Sequence, residues 1–175
     1  MVDLETMHTI PGGVVLSIGA VFFDETGLGD EFYQVIGRGH SHAAGLRESK
    51  DTQDWWAKQS EEARKVIVDA EAPDAPTLTD VLTNFTAFIK QDTNVKVWGN
   101  GADFDNPLLA CCYDAVGLKQ AWLAWNGRCY RTLKNIAPGP KLERVGTYHN
   151  ALDDAKSQAL HAIELFRLHP SLVME

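Results

Sequence analysis

The feature that most constrains this 175-residue chain is a near-continuous apolar run from Val14 to Phe23. It is too rich in Val, Ile and Phe for an exposed helix and reads as a buried strand. Thr9-Ile10-Pro11-Gly12-Gly13 is a turn signal before it, and Asp24-Glu25-Thr26-Gly27 ends it. Upstream, Val2 and Leu4 alternate with Asp3 and Glu5, the pattern of a strand with both carboxylates on one face. Glu31 to Ile36 reads as a third strand, which makes an antiparallel meander.

The rest of the chain reads as mostly helical. Gly37 to Asp51 is polar and Gly-rich, carries His40 and His42, and is expected to be a loop. Thr52 to Asp69 has a helical pattern broken near Ser60, whose hydroxyl suits an N-cap ahead of Glu61 and Glu62. Glu71 to Pro76 is a linker. Leu78, Val81, Leu82, Phe85, Phe88 and Ile89 give Thr77 to Gln91 a clear helical period. Val95 to Trp98 is expected as a central strand, Asn106 to Gly117 as a helix, and Cys129 to Thr132 as a short strand. Ala137 to Gly146, with two prolines and two glycines, reads as a loop, and Asn150 to Leu168 as the last helix. This order predicts an α/β fold, a mixed central sheet with helices on both faces.

The length suits one domain, residues 1–175. Cys111, Cys112 and Cys129 form no spaced framework, which points to a reducing interior rather than a disulfide-stapled module. No run approaches about 18 apolar residues, and no basic segment leads into an apolar one, so neither a membrane span nor a secretory signal is expected. The formal net charge of −8 excludes a broad basic face for gripping nucleic acid.

Three polar clusters carry the chemistry. Asp3 and Glu5, two apart on a strand, sit together at a cost unless solvated or bridged by a cation. Trp98 to Asp105 follows a strand and precedes a helix, where α/β sheets usually bind ligands; a turn with an Asp or Asn cap is the simpler alternative. In the third cluster, His149 leads into a helix with a stripe of Ala151, Ala155, Ala159, Ala162 and Phe166. Asp154 lies about 100° from the centre of that stripe and Asp153 about 160°, so Asp154 is expected at the edge of the buried face and Asp153 in solvent. The alanines predict close packing, against the sheet that carries Asp3 and Glu5.

Asp3-Leu4-Glu5-Thr6, then Asn100-x-x-x-Phe104-Asp105-x-x-Leu108-Leu109, then His149-x-x-x-x-Asp154-Ala155 resemble the three motifs of the DEDDh 3′–5′ exonucleases. The likeness covers residue 3 to about 160. Asp3-Leu4-Glu5-Thr6-Met7, Ser17 to Asp24, Trp55-Trp56 with Gln59 to Arg64, and Tyr130-Arg131-Thr132-Leu133 are similar to a phage and prophage branch of that family. This branch includes the T4-type exonuclease A and the mycobacterial exoribonuclease-like proteins.

The resemblance implies an RNase H-like fold and two divalent cations, Mg²⁺ or Mn²⁺, which oxygen ligands favour. By the same likeness Asp3, Glu5 and Asp154 hold one metal, Asp3 also touches the second, Asp105 acts mainly through water, and His149 is the general base. Asp103 and Asp105 both remain open on spacing alone; only the Phe-Asp pairing of the family favours Asp105. Thr6, Met7, Asn100 and Phe104 are candidates for binding the terminal nucleotide. Arg131 suits either a phosphate contact or a structural ion pair. Trp55 and Trp56 are candidates for stacking a base, with one of the two expected in the core. His8, His40, His42, His161 and His169 show no ligand spacing.

The implied activity is 3′–5′ hydrolysis of single-stranded DNA or RNA ends to nucleoside 5′-monophosphates. The resemblance also implies a cytoplasmic location in a bacterial or phage-infected cell and, as in many relatives, a homodimer. A binding module on a degenerate exonuclease fold is the main competing reading, and an acidic mimic of nucleic acid the weaker one. Half of the net charge belongs to Asp3, Glu5, Asp105 and Asp154, which leaves a weak electrostatic grip and predicts distributive digestion.

Overall fold

The computed structural model describes residues 1–90, 92 and 94–172, and builds a mixed α/β architecture with five strands and seven α-helices among them. The apolar run becomes β2 (Val15–Phe23), the middle strand of an antiparallel sheet. It pairs with β1 (Val2–Thr6) on one side and β3 (Leu28–Val35) on the other. β3 starts earlier than expected because Phe23 pairs with Leu28, and the Asp24 carboxylate accepts from the Thr26 amide at 2.7 Å to close the turn between them.

Leu16, Ile18 and Ala20 face one side of this sheet and join Val2 and Leu4 in the main core. Four helices cover that side: α2 (Lys50–Trp56), α3 (Glu61–Ala70), α4 (Leu78–Ile89) and α5 (Asp105–Ala115). Ser60 and Thr77 cap α3 and α4 as hydroxyl acceptors, and the expected end of α4 at Gln91 lies outside the described residues. The opposite side of the sheet is covered by α6 (Tyr130–Ile136) and α7 (Ala151–Leu168) around Val21. Among the described residues no helix is long and apolar enough to cross a membrane, and the three cysteines are free.

Three local expectations are corrected. Gly37 to Asp51 is not all loop: it holds α1 (Arg38–Ala43) and the start of α2. Both pieces are too short for an apolar period to show, and α1 is held by tertiary bonds instead. The Gly37 amide donates to the Pro76 carbonyl at 2.8 Å, and Arg38 pairs with Glu48 at 2.5 Å. The strand expected near Cys129 to Thr132 is β5 (Gly127–Cys129), and Tyr130 already begins α6. Finally, β4 (Val97–Gly99) and β5 form a separate parallel pair, so the single mixed sheet is two hydrogen-bonded sheets. β4 lies against β1 without a ladder between them among the described residues. The Asp105 side chain packs on β4 there: a Cβ on Gly99 would stand 2.8 Å from the Asp105 carboxylate.

The alanine stripe does what its spacing predicts. Ala151, Ala155, Ala159 and Ala162 are all fully buried. The start of α7 sits directly on β2, where a Cβ on Gly19 would lie 2.1 Å from the Ala151 carbonyl carbon. Gly19 is the register partner of Asp3, and Ser17 that of Glu5. The absence of a side chain at Gly19 therefore lets the helix N-terminus reach the strand face that carries both acids.

Candidate functional site

Four carboxylates converge from three elements. β1 presents Asp3 and Glu5 toward α7, the first residue of α5 is the buried Asp105, and Asp154 is buried in the first turn of α7. Glu5, Asp154 and the His149 ring bring one ligand atom each to within 4.8 Å of one another, a spacing that can hold a metal ion. Gln158, one turn after Asp154, donates from Nε2 to Asp3 Oδ1 at 2.7 Å. Asp105 Oδ2 accepts from the Asn100 amide at 2.6 Å, whereas its Oδ1 is buried without a hydrogen-bond partner.

The electrostatics follow from this crowding. Burial pushes Glu5 up to about 8, helped by the charges of Asp154 and Asp105 and opposed by Arg144. Asp3 is raised well above the usual carboxylate range by burial and by Asp105, Glu5 and Asp154, against the Gln158 hydrogen bond. Burial also lifts Asp105 to about 6 and raises Asp154, the latter against the pull of Arg144. Four acids held together against their own repulsion, one with a buried oxygen lacking any donor, fit a divalent cation with oxygen ligands.

These shifts have a defined pH signature. Between the ordinary value of 4.5 and about 8, Glu5 holds more protons in the folded protein than in the unfolded chain, so its contribution to stability falls as pH rises through that window. Asp105 behaves likewise up to about 6. A divalent cation removes the repulsion only once the protons are gone. Mn²⁺ is therefore expected to raise the melting temperature more at pH 8 than at pH 5. Thermal melts at the two pH values check this, and an equal or larger rise at pH 5 contradicts it.

His149 is presented by an unusual backbone. It is a non-glycine residue with φ of 60°, just ahead of the Asn150 cap of α7. Asn150 Oδ1 accepts from the Leu152 and Asp153 amides at 3.1 Å each. Burial lowers the His149 pKa, partly offset by the nearby Asp154. Trp55 and Tyr148 meet the ring edge-on, with centroids 4.9 and 4.8 Å away. Trp55 is 42% exposed, whereas Trp56 is core and donates from Nε1 to the Thr6 carbonyl at 2.8 Å.

The other residues singled out in the sequence divide into two groups. Asn100 lies beside Asp105 with its Oδ1 buried and unpartnered, and Arg131 is exposed, its guanidinium carbon 3.7 Å from where a Cβ on Gly101 would sit. No ion pair holds Arg131 among the described residues. Thr6 is buried at the end of β1, Met7 is 2% exposed within the main core, and Phe104 packs against that core. Asp103 is exposed where Asp105 is buried. Asp153, expected in solvent, is partly buried and accepts from the Thr147 amide at 2.7 Å, which ties down the turn before His149.

A family model described as the 3′–5′ exoribonuclease Rv2179c-like domain matches residues 1–166. The chain belongs to this family. No curated protein matches it. The Rv2179c-like match spans every residue of the site, from Asp3 to Gln158. Two groups at the site escaped the sequence reading. Gln158 stands four residues after Asp154 and is visible as an i+4 neighbour on the helix. Arg144 lies in the Ala137–Gly146 segment, pairs with Asp154, and has no spacing that points to it.

Proposed function

We propose that this Rv2179c-like chain is a 3′–5′ exonuclease of DEDDh type, a single domain with an RNase H-like fold that trims single-stranded ends. The observation that carries the reading is the convergence of Asp3, Glu5, Asp105 and Asp154 beside His149, with Glu5, His149 and Asp154 within 4.8 Å. Glu5 and Asp154 would hold one divalent cation together with Asp3, and Asp3 with Asp105 would face the second. When bound, the two cations would supply positive charge to the attacking and leaving oxygens of an in-line phosphoryl displacement.

The chain's own groups do the rest. His149, whose pKa its burial lowers, takes a proton from the attacking water. The water oxygen bonds to the phosphorus of the terminal nucleotide, and the bond from that phosphorus to the 3′ oxygen of the preceding nucleotide breaks. The products are a nucleoside 5′-monophosphate and a strand one unit shorter with a free 3′-hydroxyl. Asn100 and Arg131, which adjoin Asp105, would bind the end of the strand, and the exposed face of Trp55 would stack a base.

The family description makes RNA the first substrate to test. A 5′-labelled RNA and its DNA counterpart, incubated with the protein in Mn²⁺, Mg²⁺ or EDTA, separate the readings. The expected result is a ladder shortening from the 3′ end with either metal and an intact strand in EDTA. The ladder should be distributive at physiological salt, since a net charge of −8 leaves a weak electrostatic grip on the product. An intact strand that nonetheless binds in Mn²⁺ identifies a non-cutting binding module.

A further inference from the structure

Arg144 is the one cationic side chain paired with the carboxylate cluster among the described residues, through Nη1 to Asp154 Oδ1. Its guanidinium lies over the Tyr148 ring, 3.8 Å from the centroid. Its other donors have no partner among the described residues, and more than a third of the side chain faces solvent. Tyr148 itself is 56% exposed and touches His149 edge-on, so the aromatic shelf carrying Arg144 adjoins the candidate general base. A guanidinium cannot lose its charge and presents its donors as a fork suited to phosphate.

We propose that Arg144 is a phosphate-binding residue of this site, held on Asp154 until a divalent cation displaces it. The inference rests on the metal reading of the site given above. A cation sharing Asp154 with Glu5 competes with Arg144 for the same carboxylate, and the two positive charges repel. Tyr148 retains the released guanidinium beside the site, with its fork directed at the phosphates of an incoming strand. One arginine thus neutralises the acids in the metal-free protein and binds the substrate in the loaded one. It is also a second phosphate contact, on Asp154 where Arg131 adjoins Gly101, supplied by the segment that leads into His149.

Two binding measurements test this without reading activity. Mn²⁺ binding followed by electron paramagnetic resonance is expected to tighten about 3- to 10-fold in Arg144→Ala, because a competing charge a few ångströms away is gone. Binding of a 5′-labelled oligoadenylate in Ca²⁺, followed by fluorescence anisotropy, is expected to weaken roughly 10-fold in the same variant. Arg144→Lys keeps the charge but not the fork, so it should bind Mn²⁺ as the wild type does and the oligonucleotide less well. This second variant also shows whether the fold depends on a cation here. Unchanged or weaker Mn²⁺ binding in Arg144→Ala, or unchanged oligonucleotide binding, overturns the proposal while the metal site stands. Failure of the wild type to bind Mn²⁺ at all removes the metal reading first, before any variant is compared.

Discussion

Asp3→Asn is expected to abolish hydrolysis and at the same time to stabilise the metal-free protein at pH 8. Asp3 is surrounded by Asp105, Glu5 and Asp154, whose charges all oppose its ionisation, so removing its charge relieves repulsion. The amide keeps an Oδ1 that can still accept from Gln158 Nε2, which preserves the local geometry. The same change removes a carboxylate that, on the proposed two-metal reading, would face both cations. The expected loss is about 10³-fold or more in rate, equivalent to roughly 4 kcal/mol of transition-state stabilisation. Melting temperature without metal and cleavage of labelled RNA with Mn²⁺ together check the prediction. A destabilised, inactive variant would mean that the fold and not the chemistry had failed. Full activity would end the two-metal reading. Asp103→Asn serves as the matched control: its side chain is exposed, and activity near that of the wild type is expected.

Gly19→Ala is expected to be the most damaging single methyl in the protein. The added carbon would sit 2.1 to 2.4 Å from Ala151 and Leu152 backbone atoms at the start of α7, and no side-chain rotation relieves a clash with backbone. The helix must lift from β2, at a cost of at least about 3 kcal/mol on the scale of overpacked cores. For a domain of this size that corresponds to a melting temperature lower by roughly 6–12 °C. Function should suffer further, since Asp154 and the strained His149 hang on this helix start and meet Glu5 across the same contact. A melting temperature within about 2 °C of the wild type would show that α7 is held by something other than this approach.

Much of the fold was readable because it rests on long, one-purpose patterns. Ten consecutive residues from Val14 announce a covered strand, and the α4 and α7 periods announce helices packed on one face. What escaped was short. Neither α1 nor α6 exceeds seven residues, and each is set by tertiary bonds such as Gly37 to Pro76 or by burial of Tyr130 and Leu133. The separation of β4–β5 from the antiparallel sheet was equally invisible, because it arises where a side chain from a following helix packs against a strand.

In the site, chain order alone identified Asp3, Glu5, His149 and Asp154 as candidates, because a resemblance across three ordered motifs needs no coordinates. The choice between Asp103 and Asp105 could not be made from their spacing, since two residues apart in an extended segment put both on one face. The tertiary structure buries Asp105 and leaves Asp103 exposed, because α5 begins at Asp105 and turns that side chain inward against β4. Likewise Met7 and Phe104 adjoin the motifs in sequence yet pack into the core, and Trp55 and Trp56 split between site and interior. Periodicity reports which face a residue occupies within its own element. Which carboxylates end up crowded together, and that Arg144 from a patternless segment pairs with one of them, is decided only when separate elements pack together.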